Sequence, residues 1–156
     1  WTNVGAGSGN ILPWNVQGSN YGYYIGGNPS ASNRIGKWSL SSDSNGTDVG
    51  DMLYGAQGMC GGKSTSYGYG AGGEPSRVDI NKFPFASDTN ATGHGDLTGI
   101  KRGCGSHSYG TTYGFTSGAD SPATSQIDRY AFSSNTTAID FGDKKTDSAI
   151  CFLIQA

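Results

Sequence analysis

The decapeptide SDSNGTDVGD (42–51) decides the fold, because it returns as SDTNATGHGD (87–96) and, with more substitutions, as SNTTAIDFGD (134–143). The copies begin 45 and 47 residues apart. A phrase that recurs at a nearly constant spacing predicts a chain built from copies of one structural unit. Three such units fill the sequence from about residue 19 onward.

Two further segments repeat in the same order ahead of each decapeptide. The first carries a tyrosine and ends at glycine; its copies are SNYGYYIGG (19–27), TSYGYGAGG (65–73) and YGTTYGFTSG (109–118). The second alternates as a strand does, and its copies are RIGKWSLSS (34–42), DINKFPFAS (79–87) and QIDRYAFSS (126–134). The residues on one face of this second strand are predicted to form the structural core: Trp38, Leu40, Phe83, Phe85, Tyr130 and Phe132. The other face carries an Ile beside a Lys or Arg, which indicates a sheet covered on both faces.

The composition predicts an all-β protein. Among 156 residues there are 27 Gly and only 14% charged residues, and Glu74 is the single Glu. Ser, Thr, Asn, Asp and Tyr are frequent, as in short strands joined by tight turns. Aromatic residues at 12% argue against intrinsic disorder.

Charge and hydropathy exclude two classes of partner. The net charge is −2 and no basic run exceeds a pair of residues, so we expect no nucleic acid. The longest apolar run, AICFLI (149–154), is too short for a membrane span, so we expect no membrane insertion. The chain begins with Trp1, which indicates processing, a trimmed chain or a piece of a longer one.

Units of this length, with an aromatic and a glycine pair ending one strand and an aromatic closing the next, resemble the kelch-type blade of a β-propeller. The combined pattern YGYxxGG…IxKWxLxSDxNGTDxGD is also similar to tandem repeats of virion structural and tail-fibre proteins of marine bacteriophages. The resemblance covers about 19–152. Repeat three departs from it, with a lone Gly118 and with Asn135, Thr137 and Ile139 in the polar phrase.

The resemblance implies a propeller of roughly four-stranded blades, about 46 residues each. Because propellers have about four to eight blades, three cannot close a ring. The ring is then completed by oligomerisation or by a longer parent chain. The β-trefoil and the β-prism, which also use three related units, are the alternative folds. We divide the single repeat domain (1–156) at about 19–64, 65–108 and 109–156, with 1–18 as a segment that could complete a blade.

The polar phrase is either a calcium loop or a turn. Its spacing resembles the calcium loops of integrin-type propeller blades, and the candidate oxygen ligands are Asp43, Asn45, Thr47 and Asp51, then Asp88, Asn90, Thr92 and Asp96. Alternatively, Asp and Asn side chains cap a turn by accepting backbone hydrogen bonds, and this second interpretation is favoured.

Candidate catalytic residues are few. His94 and His107 are expected in solvated loops, and no nucleophile elbow with following partners is present. The three cysteines, an odd number, are expected to be buried thiols at matched positions of the repeats, and metal ligands are the less favoured alternative.

Repeated structure without a distinctive catalytic cluster favours a non-enzymatic role. The first hypothesis is a bacteriophage virion structural protein, in a tail fibre, tail tip or capsid appendage, that forms homo-oligomers or binds other virion proteins. It would be located in the virion or outside the cell and could attach to a host surface. The alternative is a carbohydrate-binding lectin, in which loop aromatics such as Tyr24 and Tyr54 stack on the sugar rings of cell-surface glycans. An enzyme on a propeller scaffold is the third hypothesis.

Overall fold

The computed structural model describes residues 21–27, 30–109, 111–120 and 122–146, with the backbone alone for 105–109. In these ranges the chain forms strands and no helix, which confirms the all-β prediction. The strands are β1 (Tyr21–Ile25), β2 (Arg34–Ser39), β3 (Thr47–Asp51), β4 (Cys60–Lys63), β5 (Tyr67–Ala71), β6 (Asp79–Pro84), β7 (Thr92–Asp96), β8 (Gly105–Tyr109), β9 (Tyr113–Asp120), β10 (Ala123–Ala131) and β11 (Ile139–Asp143). No segment of these ranges is an apolar helix of membrane-spanning length.

The strands form three antiparallel sheets, each built from strands consecutive in sequence. Sheet 1 has the order β1-β2-β3, sheet 2 the order β4-β5-β6-β7, and sheet 3 the order β11-β10-β9-β8. The strands β4 and β8 come from the last residues of the preceding sequence unit, so the sheets are offset by one strand from the sequence repeats. The segment 1–18, expected to complete a blade, lies outside the described residues.

The second half of each polar phrase is the last strand of its sheet. In all three sheets the pairing of this strand shifts register by one residue, opposite Ile35, Ile80 or Ile127. A glycine lies at each shift with a positive φ: 155° at Gly50, 127° at Gly95 and 149° at Gly142. L side chains rarely adopt this backbone conformation, so the bulge requires the glycine that precedes the final Asp.

The sheets pack on one another in chain order. We call the face of a sheet that carries the Lys or Arg of its middle strand (Lys37, Lys82 or Arg129) its front face, and the opposite face, which carries Trp38, Phe83 or Tyr130, its rear face. One cluster lies between sheets 1 and 2 and includes Ile35, Met52, Phe83 and Ala91. A second lies between sheets 2 and 3 and includes Cys60, Tyr69, Ala71, Ile80, Leu97, Tyr130 and Ala138. The core of the described residues therefore lies between sheets, and sheet 2 is covered on both faces.

The aromatic residue of each middle strand lies against a glycine of the neighbouring strand. Trp38 covers Gly22, Phe83 covers Gly68 and Tyr130 covers Gly114, and a Cβ added at any of these glycines would collide with the ring. The glycine of each YG dipeptide thus makes room for an aromatic ring on the rear face.

The structure corrects part of the core expected from the sequence. Phe83 and Tyr130 are buried, and Phe85 and Phe132 are half-buried against the two clusters. Trp38 and Leu40, at the same positions in sheet 1, are 36% and 60% exposed. Their rear face is uncovered because no sheet precedes sheet 1 among the described residues.

A disulfide joins Cys60 to Cys104 and corrects the expectation of three thiols. The two Cα atoms lie 5.6 Å apart, within the usual range for a disulfide. The bond links the first strand of sheet 2 to the residue before β8, so it fastens sheet 3 to sheet 2. Cys151 lies outside the described residues.

Candidate functional site

In the second and third polar phrases, the side chain at the second position binds a lysine on the preceding sheet. Lys37 of β2 donates from Nζ to Asp88 Oδ1 at 2.6 Å, and Lys82 of β6 donates to Asn135 Oδ1 at 3.1 Å. Asp88 and Asn135 hold the same position of the aligned phrases, as Lys37 and Lys82 do in the aligned strands. The hydrogen bond with Asp88 raises the pKa of Lys37. One contact is therefore built twice in the chain.

Each of these cations also lies over a tyrosine ring, and sheet 3 repeats that half of the contact with an arginine. The distances from cation to ring centroid are 4.8 Å for Lys37 over Tyr21, 5.5 Å for Lys82 over Tyr67 and 4.5 Å for Arg129 over Tyr113. Cation–π contact at about 6 Å or less is attractive. It accounts for the tyrosines that recur every 46 residues.

Backbone hydrogen bonds fix the same turn on the preceding sheet. Ala91 N–H donates to the Asp51 carbonyl at 2.8 Å, and Ala138 N–H donates to the Asp96 carbonyl at 2.7 Å. In the first interface, Asp51 N–H also donates to Asn90 Oδ1 at 3.0 Å. These bonds satisfy the end of a strand that has no further neighbour in its own sheet.

The bulge glycines let the turn approach closely. A Cβ at Gly50 would collide with the backbone of Thr89, and one at Gly95 with the backbone of Thr136. Gly50 and Gly95 thus permit the bulge of their own sheet and also leave room for the turn of the next sheet.

Aromatic rings fill the space beside the polar contacts. A ring on the front face of one sheet packs against two rings on the rear side of the next. The centroid distances are 5.5 Å for Tyr23 to Phe83, 5.1 Å for Tyr23 to Phe85, 5.8 Å for Tyr69 to Tyr130 and 4.8 Å for Tyr69 to Phe132. Each such aromatic pair stabilises the fold by about 0.5–1.5 kcal/mol beyond the contribution from burying its apolar surface.

His94 is fully buried between sheets 2 and 3, which corrects the expectation of a solvated loop. Its Nε2 donates to the Ala131 carbonyl at 2.7 Å, and its Nδ1 lies 2.8 Å from Asn135 Oδ1. Its ring meets Tyr69 edge-on at 5.1 Å. Both ring nitrogens are therefore used within the interface. The side chain of His107 lies outside the described atoms.

A buried ion pair adds to the second interface. Lys101 Nζ lies 3.6 Å from Asp128 Oδ1 and donates to the Gln126 carbonyl at 2.9 Å. Thr98 donates to both Asp128 oxygens, from Oγ1 at 2.6 Å and from its backbone N–H at 3.1 Å. Burial lowers the pKa of Lys101, and the attraction of Asp128 opposes this shift.

An open depression of 390 Å³ lies where loops from the three repeats meet. It is lined by Gly27, Gln57, Gly58, Glu74, Arg102, Gly103 and Asp120. Arg102 bridges the two carboxylates, at 2.9 Å from Glu74 and 3.0 Å from Asp120, and these contacts raise its pKa. The guanidinium of Arg102 is thus shared between the two carboxylates of the depression.

No protein-family model matches the chain, and no curated protein sequence matches it. The resemblance to kelch-type blades and to phage repeats therefore stays a prediction from the sequence. The geometry of the interfaces carries the functional argument.

The structure places the candidate calcium ligands in the turns and last strands of sheets 1 and 2. These residues are Asp43, Asn45, Thr47, Asp51, Asp88, Asn90, Thr92 and Asp96. Asp88 and Asn90 direct side-chain oxygens to Lys37 and to the Asp51 backbone. The described residues contain no cluster of three or more His, Cys, Asp or Glu side chains arranged to hold a metal. Calcium binding stays a prediction.

The two candidate sugar-stacking tyrosines belong to different segments of the first repeat, and both are exposed. Tyr24, in β1, covers Gly36 and stacks on Trp38 with ring centroids 6.3 Å apart. Tyr54 lies after β3, with the Arg77 guanidinium 4.0 Å above its ring.

Sequence reasoning missed the residues that differ between repeats. Lys101 and Asp128 align with Ala56 and Asn81, so the ion pair breaks the repeat at two positions at once. Paired departures of opposite charge would have been the signal for a buried ion pair.

Proposed function

We propose that the chain is a non-enzymatic structural protein of a bacteriophage virion, in a tail fibre, tail tip or capsid appendage, in which a repeat β-propeller serves assembly and attachment to a host surface. One observation carries the proposal: the same interface, from the cation to the bulge glycine, is built twice in succession. A repeated interface of this kind is typical of modules that extend or close by adding copies.

The sheet architecture supports blades. Each sheet is an antiparallel meander of consecutive strands. Sheets 1 and 2 each pack their front face on the rear face of the next sheet. In a propeller such sheets are arranged around an axis, and the ring would be completed by a second chain or by further repeats of a longer chain.

The polar groups support a non-enzymatic role. His94 is buried with both nitrogens bonded, and Lys101 and Asp128 are buried against each other. The Glu74 and Asp120 carboxylates share Arg102. These six side chains hold loops and sheets together, and each is paired with another group of the protein.

The disulfide supports a location in the virion or outside the cell. Disulfides persist in oxidising environments and are rare in reducing ones. Cys60 and Cys104 form such a bond between two sheets.

Light scattering after size-exclusion chromatography tests the assembly role. We expect a defined oligomer, and a dimer would correspond to six sheets in one ring. Negative-stain electron microscopy of the same peak should show a ring or a regular rod. A monomer at all concentrations would overturn the assembly role and with it the virion proposal.

A carbohydrate-binding lectin is the second candidate, favoured by the exposed ring of Tyr54 beside the cation of Arg77. Aromatic faces stack on sugar rings, and nearby polar groups bond the hydroxyls. A glycan array tests this candidate with wild type and with Tyr54→Ala and Tyr24→Ala. Binding that either variant weakens, without loss of melting temperature, would support the lectin. No bound glycan on the array would count against it.

A further inference from the structure

The interface that joins sheets 1 to 2 and 2 to 3 is left half-built at both ends of the described chain. The front face of sheet 3 carries one half, and the rear face of sheet 1 with its polar turn carries the other. Each half can be compared with two complete copies in the same molecule.

The front face of sheet 3 has the residues that receive a turn. Arg129 holds the position of Lys37 and Lys82. Its guanidinium lies over Tyr113 and, at 4.7 Å, over Phe141. Within the described part of the chain Arg129 forms no ion pair, whereas Lys37 and Lys82 each bind a turn.

The bulge glycine of sheet 3 is also in place. Gly142 has the same unusual φ as Gly50 and Gly95, but among the described residues nothing lies within 4 Å of a Cβ built on it. Beside it Phe141 is 54% exposed, although His94 at the same position of sheet 2 is fully buried. The seat for a turn is present and no described residue occupies it.

The rear face of sheet 1 has the residues that insert. Trp38 and Leu40 hold the positions of the two rings that pack on the preceding sheet in sheets 2 and 3. Asp43 holds the position of Asp88 and Asn135, and Gly46 that of Ala91 and Ala138. All four residues of this half are exposed: Trp38, Leu40, Asp43 and Gly46.

We propose that the rear face of sheet 1 docks on the front face of sheet 3 of a second copy of this chain. By analogy with the two internal interfaces, Arg129 of one copy binds Asp43 of the next. The Gly46 N–H donates to the Asp143 carbonyl, and Trp38 and Leu40 pack on the front face of sheet 3. The proposal rests on the assembly role above and names the surface that performs it.

Three features select a second copy as the occupant. The charges are complementary, since a cation with no described acidic partner meets an exposed carboxylate. The halves match position by position, because they are the two sides of an interface that the chain already builds twice. Every copy carries both halves, so the contact runs head to tail and produces a ring or an open filament.

Charge reversal tests the surface. Asp43→Lys and Arg129→Glu each place like charges at the contact, and each should weaken self-association about tenfold or more, measured by sedimentation velocity. The matched control is Thr65→Lys, which adds a positive charge to an exposed turn of sheet 2 and should leave association unchanged. Melting temperatures of the variants show that each remains folded.

Mixing the two variants gives the sharpest result. In a mixture, Arg129 of the first variant meets Asp43 of the second, and Lys at position 43 meets Glu at position 129. We expect association to return in the mixture although each variant alone is dissociated. Recovery supports head-to-tail docking of this surface.

Two results would overturn the inference. If wild type assembles and both variants assemble equally well, assembly uses another surface and the assembly role itself stands. If wild type is monomeric and Asp43→Lys lowers its melting temperature, a segment of the same chain covers the rear face, and the assembly role fails as well.

Discussion

Lys101 Nζ and Asp128 Oδ1 lie 3.6 Å apart with both side chains almost fully removed from solvent, at 1% and 0% exposure. The pair joins the loop after β7 to the middle strand of sheet 3. At the same positions the first interface has Ala56 and Asn81. Of the two interfaces, therefore, only the second has an ion pair at these positions.

Lys101→Ala should destabilise the protein strongly, because it leaves the Asp128 carboxylate buried without a cation. Breaking a buried pair costs about 3–5 kcal/mol, whereas replacing both partners is often nearly neutral. The double variant Lys101→Ala/Asp128→Asn carries the residues of the first interface and should lose much less. Urea denaturation of wild type and the variants gives the free energies of unfolding. A double variant as unstable as Lys101→Ala would show that the pair does not act as a unit.

Stability should fall in alkali partly through Tyr130. Burial raises the pKa of the Tyr130 hydroxyl, and neighbouring Tyr69 adds to the shift. The folded state therefore holds the proton more tightly than the unfolded state. The contribution of Tyr130 to the free energy of unfolding is fully present below about pH 10, the usual pKa of tyrosine, and is lost as the pH rises further.

Tyr130→Phe, which copies Phe83 of sheet 2, should flatten the decline of unfolding free energy above pH 10. Tyr67→Phe, at an exposed ring, is the control for loss of a hydroxyl. An unchanged slope in Tyr130→Phe would contradict the assignment.

Gly68→Ala should destabilise sheet 2, because the new methyl group would collide with the Phe83 ring. Overpacking of this kind costs about 1–3 kcal/mol. Gly61→Ala is the matched control, since nothing lies within 4 Å of its Cβ position among the described residues. Because alanine lowers the conformational entropy of the unfolded chain, Gly61→Ala should leave stability unchanged or raise it by up to about 1 kcal/mol. In thermal melts, Gly68→Ala should have a clearly lower Tm than Gly61→Ala. Equal Tm values would show that the ring does not lie on Gly68.

Alkylation of the denatured, unreduced protein should modify at most one of its three cysteines, because Cys60 and Cys104 are joined. Intact-mass spectrometry counts the modified groups. The double variant Cys60→Ala/Cys104→Ala should lose about 2–4 kcal/mol of stability, since the bond closes a long loop between two sheets. Three modified cysteines without a reductant would rule the bond out.

Removal of calcium with EDTA should leave the Tm unchanged, because Asp88 and Asn90 already bind Lys37 and the Asp51 backbone. A ligand that bound only the folded state would raise the Tm with its concentration. Differential scanning fluorimetry with EDTA and with millimolar calcium measures this. A rise in Tm with calcium that Asp51→Asn abolishes would establish a metal loop.

The repeat and the all-β class could be predicted from the sequence because both depend on local pattern. The alternation around Phe83 and Tyr130 marks middle strands, and the Gly–Asp pair marks the bulge before each strand end. The exposure of Trp38 could not be predicted this way, since it has the same local sequence signals as Phe83. Its burial depends on whether another sheet covers it.

By itself the sequence determined the unit: its length, its strand pattern, and the glycines that permit a bulge and a covering ring. These are short-range requirements of backbone conformation and side-chain period. Only the tertiary structure decided which residues of one unit contact the next. It showed Asp88 on Lys37, His94 inside an interface, and Cys60 bonded to Cys104. Such contacts join residues about 40 to 50 positions apart, and their formation depends on how whole sheets pack, which no local pattern specifies.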